Sequence, residues 1–407
     1  MRTPADNKGD TNSPNMKQKI CSRRSFLHRS LAAAAGAPFA LEFARRPLLA
    51  ADLAPSLRSR QAEAKVAIVP CRTYGPEVQT ALAKCFDLLG GIGSLVKNKT
   101  VTVKINLTGT DFSAFLGRPV GETYMTHYAT AASLSSLLFA AGAKRVCFVE
   151  STTSRSNLAG SLGMADWDLK ALQALGQVEF ENTRNLGKGK SYSHLSVPGG
   201  GYMFSAFDFN HSYVDTDVMV SLAKLKNHIT AGVTLSMKNL FGITPNALYG
   251  SAAGSEDALE GRGVLHNPTG FEQIKLPGLK PGITSKDPTW RVPHIVADIC
   301  TARPIHLAII DGITSMSGGE GPWCSDAGPL KLTTPGVLIA GLNPVSTDAV
   351  GTAVMGYENP RAPRGTKPFH FCDNHLLLAE QAGVGIADLR QIDVRGLAVE
   401  KARYPYG

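Results

Sequence analysis

The chain has 407 residues, 43% of them hydrophobic and 18% charged, enough to bury a large core as one elaborated domain or two lobes. Its formal charge of +9 would suit a nucleic-acid binder, but residues 1–50 hold nine Lys/Arg against three Asp/Glu, which leaves only +3 on the remainder. That balance excludes nucleic acid as the expected partner and places the basic character in an N-terminal segment.

Residues 21–54 of that segment read CSRRSFLHRSLAAAAGAPFALEFARRPLLAADLA. A basic stretch containing Arg23 and Arg24 precedes an apolar run from Leu31 to Leu41, which is too short to span a bilayer as a helix. This order resembles a twin-arginine export signal. Residues 1–54 are therefore expected to be a signal peptide and linker, with Ala37, Ala50, Ala51 and Ala54 as alternative exits. The twin-arginine translocase would be the partner during export, and the mature chain would act in the periplasm or another extracytoplasmic space. No later run is long enough for a transmembrane span. Six cysteines follow the segment and none forms a C-x-x-C, so no iron–sulfur or structural zinc motif is present and the sequence leaves the cofactor unknown.

From Lys65 onward, strand-like and helix-like segments alternate. KVAIVP reads as a first strand, and PEVQTALAKCFDLLGG as a helix opened by proline and closed by glycine. TVTVKIN is a second strand, THYATAASLSSLLFAAGA a helix with Thr126 as its expected cap, and KRVCFVE a third strand. DWDLKALQALG and VEFEN repeat the pattern. Residues 187–209, with PGGGYMFSAFDF, predict a hairpin excursion. DVMVSLAKLKNH is a strand that ends in charge, and residues 245–290, rich in Gly, Pro and Ser, predict a long loop or lid. IHLAIID and GVLIAGL are two more buried strands, followed by the helices PVSTDAVGTAVMGY and NHLLLAEQAG. The expected fold is α/β: a mostly parallel mixed sheet with helices on both faces, a β-hairpin excursion and a long loop, over residues 65–396.

Polar residues gather where these strands end. TVTVKIN delivers Lys104 and Asn106, KRVCFVE ends on Glu150, DVMVSLAKLKNH delivers Lys224, Lys226 and His228, and IHLAIID ends on Asp311. In an open parallel sheet the carboxyl edge is where loops converge and ligands bind. Positions 224, 226 and 228 share a side if the backbone stays extended, since strand side chains alternate. Thr230 is then expected to cap a helix with free N–H groups at its start, and Lys238 and Asn239 to lie two turns along it. The expected anion-binding set is Lys104, Asn106, Lys224, Lys226, Lys238 and Asn239. His228, Glu150 and Asp311 are the proton-transfer candidates. Metal ligation is open, with Asp215, Asp217 and Glu320 as the added carboxylates. His266, His294 and His306 are expected to be structural.

VKIN, DVMVSLAKLKNH, LSMKNLFG, IIDGI, GEGP and NPVSTDAVGTAVMG, in this order, resemble the successive motifs of the bacterial and archaeal domain of unknown function 362 family, over about Lys65 to Gly396. The resemblance implies no particular reaction. Many members carry a ferredoxin-like cysteine cluster, which this chain lacks. Two functions fit the residues: an exported enzyme acting on a small carboxylate or phosphate, or a non-catalytic periplasmic protein that captures such an anion or a cofactor through the same cations.

Overall fold

The computed structural model describes residues 46–47, 64–109, 112–152, 157–271, 275–324 and 329–407. The expected export signal, with Arg23 and Arg24, lies outside the described residues.

Eight strands form one sheet: β1 (Lys65–Pro70), β2 (Thr100–Lys104), β3 (Arg145–Glu150), β4 (Val178–Asn182), β5 (Val218–Lys224), β6 (Leu307–Gly312), β7 (Val337–Gly341) and β8 (Asp393–Gly396). Their spatial order is β8-β1-β7-β6-β5-β2-β3-β4. Only β7 runs against its neighbours, pairing antiparallel with β6 and β1, and the remaining pairs are parallel. This is the mixed, mostly parallel α/β sheet expected from the sequence.

The apolar runs fold this way because both faces of the sheet are covered. In β1, Val66 and Ile68 enter one core while Ala67 and Val69 enter the other, the alternation that strand geometry requires. The second core is closed by α1 (Glu77–Leu88) and α2 (Tyr128–Ala140), which contribute Val78, Leu82, Leu134 and Leu138. The first is closed by α3 (Leu235–Asn239), α4 (Pro288–Ala302), α5 (Pro344–Val354) and α6 (His375–Gln381). The hairpin excursion is formed by Ser193–Ser196 paired antiparallel with Ala206–Phe209. The expected lid contains two one-turn helices, Asn246–Tyr249 and Gly263–His266.

Two expected caps are replaced by other groups. α2 is capped by His127, whose Nδ1 accepts from the Ala129 N–H, because the Thr126 hydroxyl is used between Asn106 N–H and Leu222 O. The helix after His228 begins at Leu235, not at Thr230. The buried Asp348 carboxylate on α5 accepts from the Ser236 and Met237 N–H groups and from the Ser236 hydroxyl at 2.6–2.9 Å. The donors at this helix start are therefore taken by the protein itself, and no anion site forms there. Asp348 in turn fixes the position of Lys238, one residue beyond Met237.

Candidate functional site

At the carboxyl edge, chain crossings at β2, β3 and β5 bring Lys104, Asn106, Glu150, His228, Lys238 and Asn239 into the wall of one cavity of about 480 Å³. Glu320 closes it from the Gly-rich turn after β6. Arg262, His266 and Asn267 close it from the expected lid, and Trp323 stands at its rim. Three cations and two carboxylates face this space.

Both carboxylates are already occupied. Glu150 accepts from Lys104 Nζ at 2.7 Å and from the N–H groups of Ser151 and Leu107 at 2.8 Å. Glu320 accepts from the Ile229 N–H at 3.0 Å and from Trp323 Nε1–H at 3.4 Å. Lys104 is spent on Glu150 and on Ile105 O, and burial lowers the basicity of its ammonium. Asn239 ties Lys104 O to the Ser221 hydroxyl, and its Oδ1 accepts from Asn106 Nδ2 at 3.1 Å. Asn106 Oδ1 is buried and has no partner among the described residues.

The donors that face the cavity are not matched in the same way. Lys238, 8% exposed, lies with Nζ 4.3 Å from the centre of the Phe241 ring and has no hydrogen-bond acceptor among the described residues. Burial pulls its ammonium down to about 7 against the opposing charge of Glu320. An ammonium out of water without an acceptor is costly.

The two cavity histidines are neutral for the same reason. Burial, then Lys238, His266 and Lys226, hold His228 well below its ordinary value. Burial and Lys238 lower His266 to about 3. Their hydrogen bonds then assign the protons. His228 Nδ1 accepts the Thr230 N–H at 3.1 Å, so its single proton sits on Nε2, 3.9 Å from the nearer Glu320 oxygen and beyond hydrogen-bond reach of it. His266 Nδ1 donates to Arg262 O at 2.9 Å, which leaves its Nε2 as a lone pair. One histidine is thus a donor and the other an acceptor. Arg262 is fixed behind them by Thr244 O, the Ser151 hydroxyl and Gly242 O.

The expected site divides at this point. Lys224 and Asp311 do not line the cavity. Lys224 Nζ donates to the Tyr74 hydroxyl, Gly121 O and Thr314 O at 2.6–3.0 Å and lies 3.4 Å from Asp311. Asp311 accepts from Tyr74, the Thr130 hydroxyl and the Ile313 N–H. Both side chains are sealed, with 0% and 1% exposure. They form a buried pair between β5 and β6 and are not available to a ligand. Lys226 is also outside the cavity wall, because Tyr124 O and Glu320 O take its ammonium at 2.7 and 3.0 Å.

Asp215 and Asp217 lie at the opposite edge. Asp217 accepts from the Thr100 N–H where β2 begins, and Asp215 faces His211 at 3.6 Å. They precede the first residue of β5, whereas His228 follows its last, a separation of about 20 Å along a seven-residue strand. They cannot join His228, Asp311 or Glu320 around one ion. No group of three or more His, Cys, Asp or Glu among the described residues is placed to hold a metal. Of the histidines expected to be structural, His294 bonds Trp290 O and His306 accepts from the Met219 N–H, away from the cavity. His266 is instead part of the cavity wall. Arg262, which also lines the cavity, was not singled out in the sequence, since the segment that carries it reads as a loop.

The profile of the family described as "Domain of unknown function (DUF362)" matches residues 101–353, a span that holds all the cavity residues named above. A stretch of 171 residues is 28% identical to thylakoid-associated protein sll1697 of Synechocystis sp., covering 41% of this chain and 46% of that protein. The chain thus spans about half the length of the curated relative it matches.

Proposed function

The chain belongs to the family described as Domain of unknown function (DUF362), and from that premise and the cavity's chemistry we propose that it binds a small carboxylate or phosphate at the carboxyl edge of the sheet and moves a proton on it. The observation that carries this reading is Lys238, a buried ammonium that lacks an acceptor in a cavity whose own carboxylates are already bonded. An anion supplies the missing acceptor, and His228 Nε2–H supplies a second donor beside it. His266 Nε2, with its free lone pair, takes the proton. His228, held neutral with its proton facing the cavity, hydrogen-bonds the oxygen on which charge develops.

The experiment is a binding measurement on anions found by thermal-shift screening of small carboxylates and phosphates. Lys238→Met, which keeps the apolar stem and deletes the charge, should weaken a bound anion by about 10- to 150-fold, the value of a charge-assisted hydrogen bond of roughly 1.5–3 kcal/mol. Lys226→Met should change affinity far less, since its ammonium is held by two backbone carbonyls. Equal losses in the two variants would remove Lys238 from its assigned role.

A non-catalytic binding protein is the second reading, favoured by one observation: Glu150 and Asp311, the carboxylates nearest the strand ends, are saturated by partners. Turnover of a bound anion separates the two.

We also propose that the protein is exported by the twin-arginine route, a reading supported by the order of Arg23, Arg24 and the apolar run that follows. Arg23→Lys with Arg24→Lys should retain the chain in the cytoplasm, as read by fractionation and immunoblotting, while its melting temperature stays unchanged. Undiminished delivery of the double variant would overturn the assignment. No described helix is long and apolar enough to cross a membrane.

A further inference from the structure

A second cavity, of about 340 Å³, adjoins the first. The two share His228 and Ile229, so they meet along a wall only two residues wide. Their linings differ in chemistry. The first holds the charged groups described above, whereas the second presents Ile229, Tyr357, Pro368, Phe371 and Tyr406 alongside the polar Asn227, Lys367 and His370.

Exposed large apolar side chains among the described residues gather at these cavities. Among the described residues, five large hydrophobic side chains are exposed, and three of them, Ile229, Trp323 and Phe371, line the two cavities. Phe371 is 65% exposed although its ring lies beside that of His370, with centroids 3.8 Å apart and the planes tilted by 48°. Clustered exposed apolar groups beside a polar pocket mark a place where apolar surface is covered by a ligand. Cavities of 340 and 480 Å³ each fall near the lower end of the size of small-molecule sites, about 300–1,000 Å³. A lone carboxylate or phosphate fills only part of the first.

We propose that the ligand is amphipathic: its carboxylate or phosphate lies against Lys238 and His228, and an alkyl or aryl portion passes Ile229 into the second cavity, where Phe371 covers it. This inference rests on the anion-binding reading and specifies the substrate class of the same site. Lys238 sets the charge requirement and the second cavity sets the length requirement. A ligand must satisfy both to exclude water from His228, which stands in the shared wall.

The test is a homologous series of probes, inorganic phosphate and then methyl, propyl and hexyl phosphate, measured by isothermal titration calorimetry against the full-length chain. In the wild type, affinity should rise along the series by about fourfold per methylene, the equivalent of roughly 0.8 kcal/mol per buried CH₂. Phe371→Asn, at an exposed position whose replacement leaves the fold intact, should lower the ratio of hexyl phosphate to phosphate affinity by at least tenfold, and Phe371→Leu should restore most of it. Phosphate binding with no gain along the series would overturn the inference and leave the anion site standing. A gain untouched by Phe371→Asn would place the apolar portion elsewhere and overturn it too. Failure of every probe, phosphate included, would overturn the anion-binding reading itself.

Discussion

Asp311→Ala is expected to destabilise the protein by about 3–5 kcal/mol, the usual cost of removing one partner from a buried ion pair. The sequence places Asp311 at the end of a strand, where a catalytic carboxylate would be looked for. Its surroundings give it another task. The side chain is 1% exposed and accepts from the Tyr74 and Thr130 hydroxyls and the Ile313 N–H, with Lys224 3.4 Å away. Removing the carboxylate strands the Lys224 ammonium in a space that water does not reach, and burial already lowers that ammonium's basicity. It also leaves a hydroxyl and a backbone N–H without acceptors, at about 1–3 kcal/mol for each unsatisfied group in the worst case. Chemical denaturation should show the loss as a lower midpoint with an unchanged slope. Anion affinity at temperatures where the variant is folded should remain within a few-fold of wild type. A variant of normal stability that lost ligand affinity would return Asp311 to the site.

The second large effect concerns His266. Replacing it by Gln keeps a polar side chain but removes the lone pair that accepts the proton, and turnover of a converted anion should fall by about a hundredfold or more. Affinity should change little, because Lys238 and His228 supply the donors. His228→Gln should lower both turnover and affinity, since it deletes the Nε2–H that faces the ligand. A hundredfold loss of turnover in His228→Gln with His266→Gln fully active would reverse the two roles. The free-enzyme activity should not show an acidic limb from these residues near pH 6, since burial and Lys238 hold His266 down to about 3 and hold His228 well below the ordinary histidine value.

Seven of the eight strands were legible in the sequence, most of them as apolar runs of five to seven residues separated by helices, a pattern that suits a sheet covered on both faces; β8, the four mostly exposed residues Asp393–Gly396 at the sheet edge, carries no such signal. The carboxyl edge was legible for the same reason: once KRVCFVE and TVTVKIN are parallel neighbours, Glu150 and Lys104 meet there, and they do so at 2.7 Å. What the pattern could not distinguish was which cations were already spent. The sequence offers Lys224, Lys226 and Lys238 alike as anion-binding residues, yet the first two find carbonyl acceptors from the turns around Gly121, Tyr124, Thr314 and Glu320, which are more than 80 residues distant in the chain. Only Lys238 reaches the cavity without one. The tautomer of His228 was equally out of reach, because it depends on a local turn that aims the Thr230 N–H at Nδ1. The sequence marks His228 as a proton-transfer candidate without showing which ring nitrogen faces a ligand. Arg262 and His266 sit in a stretch without periodicity, so their placement depends on contacts with Thr244, Ser151 and Gly242 that no local signal announces.

The most direct test of Lys238 as the anion's counter-charge is proton uptake on binding. Below pH 7 the ammonium is charged with or without ligand, so affinity is level. A bound anion raises the Lys238 pKa above its free value of about 7, so between the two values each binding event takes up a proton, and affinity falls by up to tenfold per pH unit. Sulfate is a suitable probe because it does not titrate in this range. Titrating the protein with sulfate at pH 8 in buffers of different ionisation enthalpy should give close to one proton taken up per sulfate for the wild type and close to none for Lys238→Met. Sulfate binding of equal strength and equal proton uptake in both proteins would contradict the role assigned to Lys238.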